Sequence, residues 1–275
     1  DGRTAWLITE PQETEPLRQW LESMRFALRV EIEDRTQEVA VLGAAEVPEH
    51  LRLLAAEPAE GRCELVWTDP WPGVAEGGWA YGEQQDHPGE QRRWHEILVP
   101  RERLVQAVTG PQADGLSLAG SWAGEALRIE AWRPRLGPDT DDRTVPHELD
   151  WLRTAVHLAK GCYKGQETVA RVHNLGRPPR RLVFLDIDGS EHTLPAAGSE
   201  LFVEGKSRPV GRITSVALHH EAGPIALAVI KRGVDPQAPL RAVDGGDFLP
   251  DGSPAPATEY AVAQTTVVSP ESGEV

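Results

Sequence analysis

The spacing of apolar residues predicts alternating helices and strands in the first half of the chain. From Pro11 to Arg29, large apolar residues recur every three or four positions, with acidic residues early and arginines late, as in an amphipathic helix. The same criteria predict helices over 48–56, 101–108 and 122–132, and strands over 63–68 and 97–99. Two further strands are expected in 30–43, and a long loop over 69–92.

The pattern changes at residue 181 to short apolar runs separated by turn residues. These runs cover 182–187, 200–203, 211–218 and 225–230, and they predict a small β-barrel or sandwich. From about residue 244 the chain is rich in Gly, Pro, Ser and Thr and poor in large apolar residues. That composition predicts a disordered acidic tail over 244–275.

Composition narrows the class of protein. The 275 residues are 40% hydrophobic and 26% charged, a balance typical of globular proteins. We expect no membrane partner, because no apolar run is long enough to span a bilayer and no secretory leader opens the chain. The two cysteines, Cys63 and Cys162, cannot form a disulfide framework, so a reducing cytoplasm is the expected location.

The charge is unevenly distributed. A formal net charge of −15 disfavours general binding to nucleic acid. Residues 160–181 are the exception, since they contain six bases and a single acid, Glu167. This basic cluster is either a site for a small anion or a solvated basic loop, and its members are Lys160, Lys164, Arg171, Arg177, Arg180 and Arg181.

Several common catalytic and metal-binding motifs are absent from the sequence. There is no Walker loop, no strand–GxGxxG–helix unit, no CxxC pair and no GxSxG elbow. His95-Glu96 and His147-Glu148 do not begin HExxH zinc motifs, because Val99 and Trp151 occupy the second histidine positions. We therefore expect no metal site.

One segment combines a thiol with cations and glycines. Residues 160–167 read Lys-Gly-Cys-Tyr-Lys-Gly-Gln-Glu. Nearby cations favour the thiolate form of a cysteine, and glycines let a backbone turn tightly against a ligand. The sequence predicts either an activated thiol at Cys162 or a buried, inert cysteine in a tight turn.

This segment resembles the signature K-G-C-[FY]-x-G-Q-E of the YgfZ family of folate-binding proteins, which are relatives of the aminomethyltransferase, or T-protein, of glycine cleavage. The resemblance covers roughly residues 1–235 and is closest to actinobacterial members. Other segments that resemble the family are 94–100, 127–131, 134–137, 144–148 and 169–174.

The resemblance implies an α+β fold, with T-protein-like mixed α/β (ferredoxin-like) domains followed by a small C-terminal β-barrel. It divides the chain into the remainder of a first α/β domain (1–45), a second α/β domain with the folate site and the cysteine motif (46–178), the barrel (179–243) and the tail (244–275). It also implies that a region ahead of the Asp1-Gly2 turn is missing here.

For the site, the resemblance implies tetrahydrofolate or a derivative as cofactor, bound by Glu96, Arg128 and Glu130. One carboxylate can accept two adjacent pterin N–H groups, and an arginine suits a carbonyl or carboxylate. The other readings are a surface strand residue for Glu96 and a helix ion pair with Glu125 or Glu130 for Arg128. Cys162 is expected at the rim of the cavity, within the motif residues Lys160, Gly161, Tyr163, Lys164, Gly165, Gln166 and Glu167, followed by Arg171.

The leading functional prediction is a folate-binding accessory protein of iron–sulfur cluster assembly or repair, whose partners are iron–sulfur proteins or assembly factors. Cys162 would take a one-carbon unit, contact a cluster transiently or be oxidised during repair. The alternatives are a folate-dependent aminomethyl or one-carbon transferase, and a binding protein linked to tRNA modification. Trp132 replaces a family glycine, which disfavours aminomethyl transfer. Whether the protein is an enzyme stays open.

Overall fold

The structure is a computed structural model that describes residues 3–82, 86–109, 111–113, 115–245 and 257–271. The predicted turn at Asp1-Gly2 lies outside these residues. The chain forms two compact units. Unit 1 comprises Asp1–Asp69 and Arg93–Leu118, and unit 2 comprises Pro70–Arg92 and Ala119–Val275. The predicted domain boundaries at residues 45 and 178 stay predictions.

The helices follow the apolar spacing with two differences. The first helix ends at Met24 rather than Arg29, because Phe26 adopts a left-handed conformation with φ 45° that a helix cannot continue through. A helix that the sequence did not predict begins at Gln166. The α-helices are α1 Pro11–Met24, α2 Glu49–Ala55, α3 Leu104–Thr109, α4 Ser121–Glu130 and α5 Gln166–Leu175.

Short 3₁₀ helices lie in the loops between these elements. They cover Pro88–Gln91, Arg101–Arg103, Pro111–Ala113, Pro146–Leu149, Trp151–Arg153 and Gly189–Glu191. In the described part of the chain, no helix has both the length and the apolar character needed to cross a bilayer.

Unit 1 contains a three-stranded antiparallel sheet of β1 Val39–Ala44, β2 Val66–Thr68 and β3 His95–Pro100, in the order β1-β3-β2. Only the second of the two strands expected in 30–43 forms. Ile97 and Val99 on β3 are buried with residues of α2 and α3 and form the core of this unit. Because side chains alternate along a strand, the even-numbered residues of β3 face the opposite side of the sheet.

Unit 2 contains a closed barrel in which every neighbouring pair of strands is antiparallel, in the order β4-β7-β6-β5-β8-β9. Apolar residues fill the barrel interior, Leu185 and Ile213 among them. The strands are β4 Arg180–Ile187, β5 Glu200–Val203, β6 Gly211–His219, β7 Gly223–Lys231, β8 Leu240–Asp244 and β9 Thr258–Thr266. The predicted α+β fold class with a small barrel is confirmed.

The prediction of a disordered tail over 244–275 is wrong where the structure describes it. Residues 258–266 form β9, which pairs with both β4 and β8 and closes the barrel. Tyr260 and Val262 alternate into the barrel core with exposed residues between them. The low apolar content of the whole segment concealed this strand, because a strand that closes a barrel needs apolar residues on one face only.

Candidate functional site

The cysteine motif forms an exposed loop that leads into α5. The Cys162 side chain is exposed, so the alternative of a buried cysteine is wrong. The Lys160 ammonium lies 5.5 Å from the centre of the Tyr163 ring, a cation–π contact within the loop. Gly165 takes φ +86°, a left-handed conformation that glycine adopts without strain, and α5 begins at the next residue, Gln166.

Contacts between aromatic and histidine side chains hold α5 against the rest of unit 2. Tyr81 Oη and His173 Nδ1 of α5 lie 3.0 Å apart. The Tyr81 ring also meets the ring of His147 edge to face, with centroids 5.1 Å apart. Burial, together with the nearby His173, lowers the pKa of His147 to about 4, so this histidine is neutral at pH 7. The helix that follows the cysteine loop thus rests on an uncharged cluster.

Two members of the predicted basic cluster bond to other residues of the fold. Arg180 pairs with Asp141 at 2.6 Å and with Glu148 at 2.8 Å. Arg181 is fully buried in the barrel and donates to the Val234 carbonyl at 3.0 Å. The exposed cations that remain are Lys160, Lys164 and Arg171, all within 160–171, while Arg177 is half-buried.

The family-like segment 144–148 has a structural role. Glu148 is fully buried and accepts from the Arg180 guanidinium and, at 3.4 Å, from the Val145 backbone N–H. Arg180 in turn holds the pKa of Asp141 well below its usual range. These ion pairs join the 3₁₀ helix at Pro146–Leu149 to the start of β4, so they stabilise the fold rather than offer charge to a ligand.

Glu96 lies on the face of the unit 1 sheet that α2 and α3 do not cover. We call this surface the open face and define it by Val41, Gly43, Trp67, Trp94 and Glu96. The cross-strand neighbours of Glu96 are Gly43 on β1 and Trp67 on β2. Val41 is 46% exposed and Trp67 is 38% exposed, so the sheet surface around Glu96 is accessible. The structure thus presents a carboxylate among aromatic and small side chains.

The tryptophans beside Glu96 were missed as site residues. Trp94 belongs to the family-like segment 94–100, and its spacing of two from Glu96 places both on one strand face. That spacing was visible in the sequence. The position of Trp67 was not, because it depends on the register between β2 and β3.

The predicted contact between Arg128 and a folate is not supported, because the guanidinium of Arg128 is already saturated. Arg128 is buried on α4, and each of its five N–H groups has an acceptor. The ion pair with Glu125, which was one of the two readings, is present. The acceptors are the Glu125 carboxylate, Asp139, Ser215 Oγ and the Arg133 carbonyl.

The acceptors of Arg128 are themselves organised by the barrel. A bulge in β6 between Ile213 and Ser215 brings two consecutive hydroxyls, those of Thr214 and Ser215, onto the buried carboxylate of Asp139. Asp139 also accepts from the Arg135 backbone N–H at 2.8 Å. The resulting network connects α4 to the barrel, so the role of Arg128 in the structure is to hold these two elements together.

Glu130, the third residue assigned to the cofactor, stands at the end of α4 and is half exposed. Its carboxylate lies 3.5 Å from Nε2 of His219. The other ring nitrogen of His219 accepts from the backbone N–H groups of Glu221 and Ala222, which leaves the proton on Nε2 facing Glu130. The role of Glu130 toward a cofactor stays a prediction.

The residues present fit a folate in part. The carboxylate of Glu96 and the neighbouring indoles have the chemistry that a pterin needs, namely an acceptor for paired N–H groups and flat apolar walls. Arg128 does not fit, since it has no donor left. A reduced folate would therefore depend on unit 1 residues for its ring.

Comparisons with known proteins give partial sequence matches. No family model matches the chain. An uncharacterized protein of Haemophilus influenzae is 32% identical over 93 residues, which is 33% of each chain. A putative chloroplastic transferase of Arabidopsis thaliana is 36% identical over 107 residues, covering 38% of this chain and 22% of its own. The tRNA-modifying protein YgfZ of Escherichia coli is 26% identical over 167 residues, covering 60% of this chain and 49% of its own.

A solved structure shows the same fold. The glycine cleavage system aminomethyltransferase T from Bartonella henselae matches 91% of this chain and 65% of its own, with a TM-score of 0.54 and 19% identity. The chain spans about half or less of the length of the curated relatives. These matches confirm the resemblance to the YgfZ family and the relation in fold to the glycine cleavage T-protein.

Proposed function

We propose that this chain binds a reduced folate on unit 1 and serves as an accessory protein for iron–sulfur cluster assembly or repair. The observation that carries the first part is Glu96 on the open face, beside Trp67 and Trp94, in a chain similar to YgfZ. The observation that supports the second part is the exposed thiol of Cys162 in a loop that carries two lysines.

Glu96 is the residue that recognises the ligand. Its two carboxylate oxygens accept the ring N–H and the adjacent amino group of a pterin, and charge-assisted pairs of this kind are stronger than neutral ones. Leu98, two residues further along the same strand face, is buried and anchors β3 below the carboxylate. When bound, tetrahydrofolate would supply a carrier for one-carbon units.

Cys162 makes transient contacts through its exposed thiol. Lys160 and Lys164 flank it in sequence. Cys63 and Cys162 are the two cysteines of the chain, and iron–sulfur clusters are usually held by four thiolates. Cys162 therefore meets a cluster or a sulfur donor that an iron–sulfur client or assembly factor brings. Such transient thiol chemistry suits a reducing cytoplasm.

Calorimetric titration with tetrahydrofolate tests the folate part. Glu96→Gln keeps the shape of the side chain but turns one acceptor into a donor that faces the pterin N–H groups. We expect a loss of ~2–3 kcal/mol in binding free energy. Glu38→Gln, which alters an exposed carboxylate at the entrance to β1, is the control and should bind as the wild type does. Equal affinity for Glu96→Gln and wild type would contradict this assignment.

Rescue of an iron–sulfur enzyme in cells that lack their own accessory protein tests the second part. Cys162→Ala should abolish the rescue, and Cys63→Ala should retain it. If Cys162→Ala rescues fully, the thiol is not essential, and the folate site alone would carry the function.

A second candidate, a role in tRNA modification, is favoured by the name of the Escherichia coli relative and by the exposed cations around Cys162. Binding of tRNA through Lys160, Lys164 and Arg171 would weaken steeply with salt, because phosphate contacts release counterions. tRNA affinity that does not change with salt, or binding that survives reversal of these charges, would contradict it.

The transferase alternative predicts folate-dependent transfer of a one-carbon unit to an amine. If the thiol takes no part in that transfer, wild type and Cys162→Ala should show it equally.

A further inference from the structure

Two tryptophans lie close to Glu96 on this sheet, one on the side of each neighbouring strand. On the β2 side stands Trp67, the cross-strand neighbour of Glu96. On the β1 side the Trp94 ring lies over Gly43, since a Cβ added at Gly43 would stand 2.3 Å from Cζ2 of Trp94. Glycine at this position is therefore what lets the Trp94 ring approach the sheet. In the strand register, Glu96 therefore stands between Trp67 and the glycine that the Trp94 ring covers.

This arrangement selects for a particular ligand shape. Indole faces bind flat unsaturated rings by stacking, while a carboxylate between them accepts hydrogen bonds at the ring edge. A ring that satisfies both must present two N–H donors side by side. The 2-amino-4-oxopyrimidine edge does so with its amino group and ring N–H, and it is shared by pterins and guanine.

We propose that Trp67 and Trp94 are the ring-binding residues of this site and that, with Glu96, they recognise a flat heterocycle bearing a 2-amino-4-oxo edge. The inference rests on the proposed function, in which the heterocycle is the pterin of a reduced folate. It goes further by naming the walls of the site and by predicting which rings the site rejects. Adenine lacks this donor pair and should not bind.

Quenching of tryptophan fluorescence gives the affinity for three probes: tetrahydrofolate, guanosine monophosphate and adenosine monophosphate. Wild type should bind tetrahydrofolate best, the guanine nucleotide measurably and the adenine nucleotide not at all. Trp67→Leu and Trp94→Leu should each weaken tetrahydrofolate binding about tenfold, because stacking on one aromatic ring is lost. Trp67→Phe, which keeps a flat ring, should recover most of the affinity.

Trp20 provides a matched control, since it lies in unit 1 on α1 and is 42% exposed, close to the 38% of Trp67. Trp20→Leu should bind tetrahydrofolate as the wild type does. Thermal unfolding of each variant separates a loss of affinity from a loss of folding. Gly43→Ala gives a second test that spares both rings, because the new methyl group displaces Trp94 and should weaken binding several-fold.

The outcomes separate this inference from the proposed function. If tetrahydrofolate binds the wild type and both leucine variants with equal affinity, the assignment of the tryptophans is wrong while folate binding stands. If guanosine monophosphate binds and tetrahydrofolate does not, the edge recognition stands and the proposed function fails. Equal binding of adenosine monophosphate overturns the edge recognition, and the absence of any binding overturns both.

Discussion

Glu96 and Arg128 were assigned to the same ligand by the same resemblance, and the structure gives them opposite surroundings. Glu96 lies on an accessible sheet face in unit 1, beside side chains suited to a ring. Arg128 is buried in unit 2, and all five of its N–H groups are used within the fold. A segment that resembles a family therefore contains scaffold residues as well as candidate binding residues, and the saturated guanidinium identifies Arg128 as a scaffold residue.

The largest expected effect follows from removing the buried cation. Arg128→Met leaves the buried carboxylate of Asp139 without its ion pair, and breaking one side of a buried pair costs ~3–5 kcal/mol in the free energy of unfolding. Urea denaturation measures this loss. Arg18→Met removes an exposed pair with Glu15 and should cost less than ~1 kcal/mol. If Arg128→Met and Arg18→Met lose similar amounts of unfolding free energy, the Arg128 network does not stabilise the fold.

A second effect concerns the buried histidines of unit 2. Burial lowers the pKa of His147 and of His87 to about 4. Because their folded-state pKa lies below that of the unfolded chain, the unfolded chain binds protons first, and the free energy of unfolding should fall as pH drops from about 6.5 to about 4. A full shift of one histidine pKa from about 6.5 to about 4 changes the free energy of unfolding by ~3 kcal/mol.

The variant that isolates one histidine is His147→Phe, which keeps an aromatic ring against Tyr81. Its free energy of unfolding should fall less steeply between about pH 7 and about pH 5 than that of the wild type. Burial raises the pKa of Asp150, which contributes with the opposite sign, so the difference between the two slopes is the quantity to compare. Parallel slopes would mean that His147 takes up its proton without penalty in the folded state.

The smallest effect on stability is expected at the motif cysteine. Cys162 is exposed, so Cys162→Ala should change the free energy of unfolding by less than ~0.5 kcal/mol. Cys63 is half-buried and packs against Ala59, Leu65 and Leu98, so Cys63→Ala should cost more. In iodoacetamide labelling followed by mass spectrometry, Cys162 should react before Cys63. Faster labelling of Cys63 would contradict an accessible, reactive thiol in the motif.

Local patterns predicted most elements, and partners distant in sequence decided the rest. Apolar spacing was sufficient for α2, α4 and the strands β4 to β7. It missed α5, whose first turn follows a glycine-rich loop and whose inward face carries Val169 and His173. It also missed β9, which is recognisable as a strand only once β4 and β8 are there to pair with it.

The residues of the candidate site show the same difference between local motifs and partners distant in sequence. The cysteine loop and Glu96 could be identified from contiguous motifs. The ion pairs of Arg180 could not, because its partners Asp141 and Glu148 lie 39 and 32 residues away in sequence. The walls beside Glu96 depend on strand register, which brings Gly43 and Trp67 to it from both sides.

The nine tryptophans of the chain allow the most direct test of the difference between Glu96 and Arg128. In protein labelled with ¹⁵N at the indole nitrogens, the Nε1–H signals, assigned by single Trp→Phe variants, are followed during titration with tetrahydrofolate. The signals of Trp67 and Trp94 should shift most, and Glu96→Gln should suppress both shifts. Shifts confined to Trp122 and Trp132, which lie on α4 and directly after it, would place the ligand beside Arg128 and contradict the account.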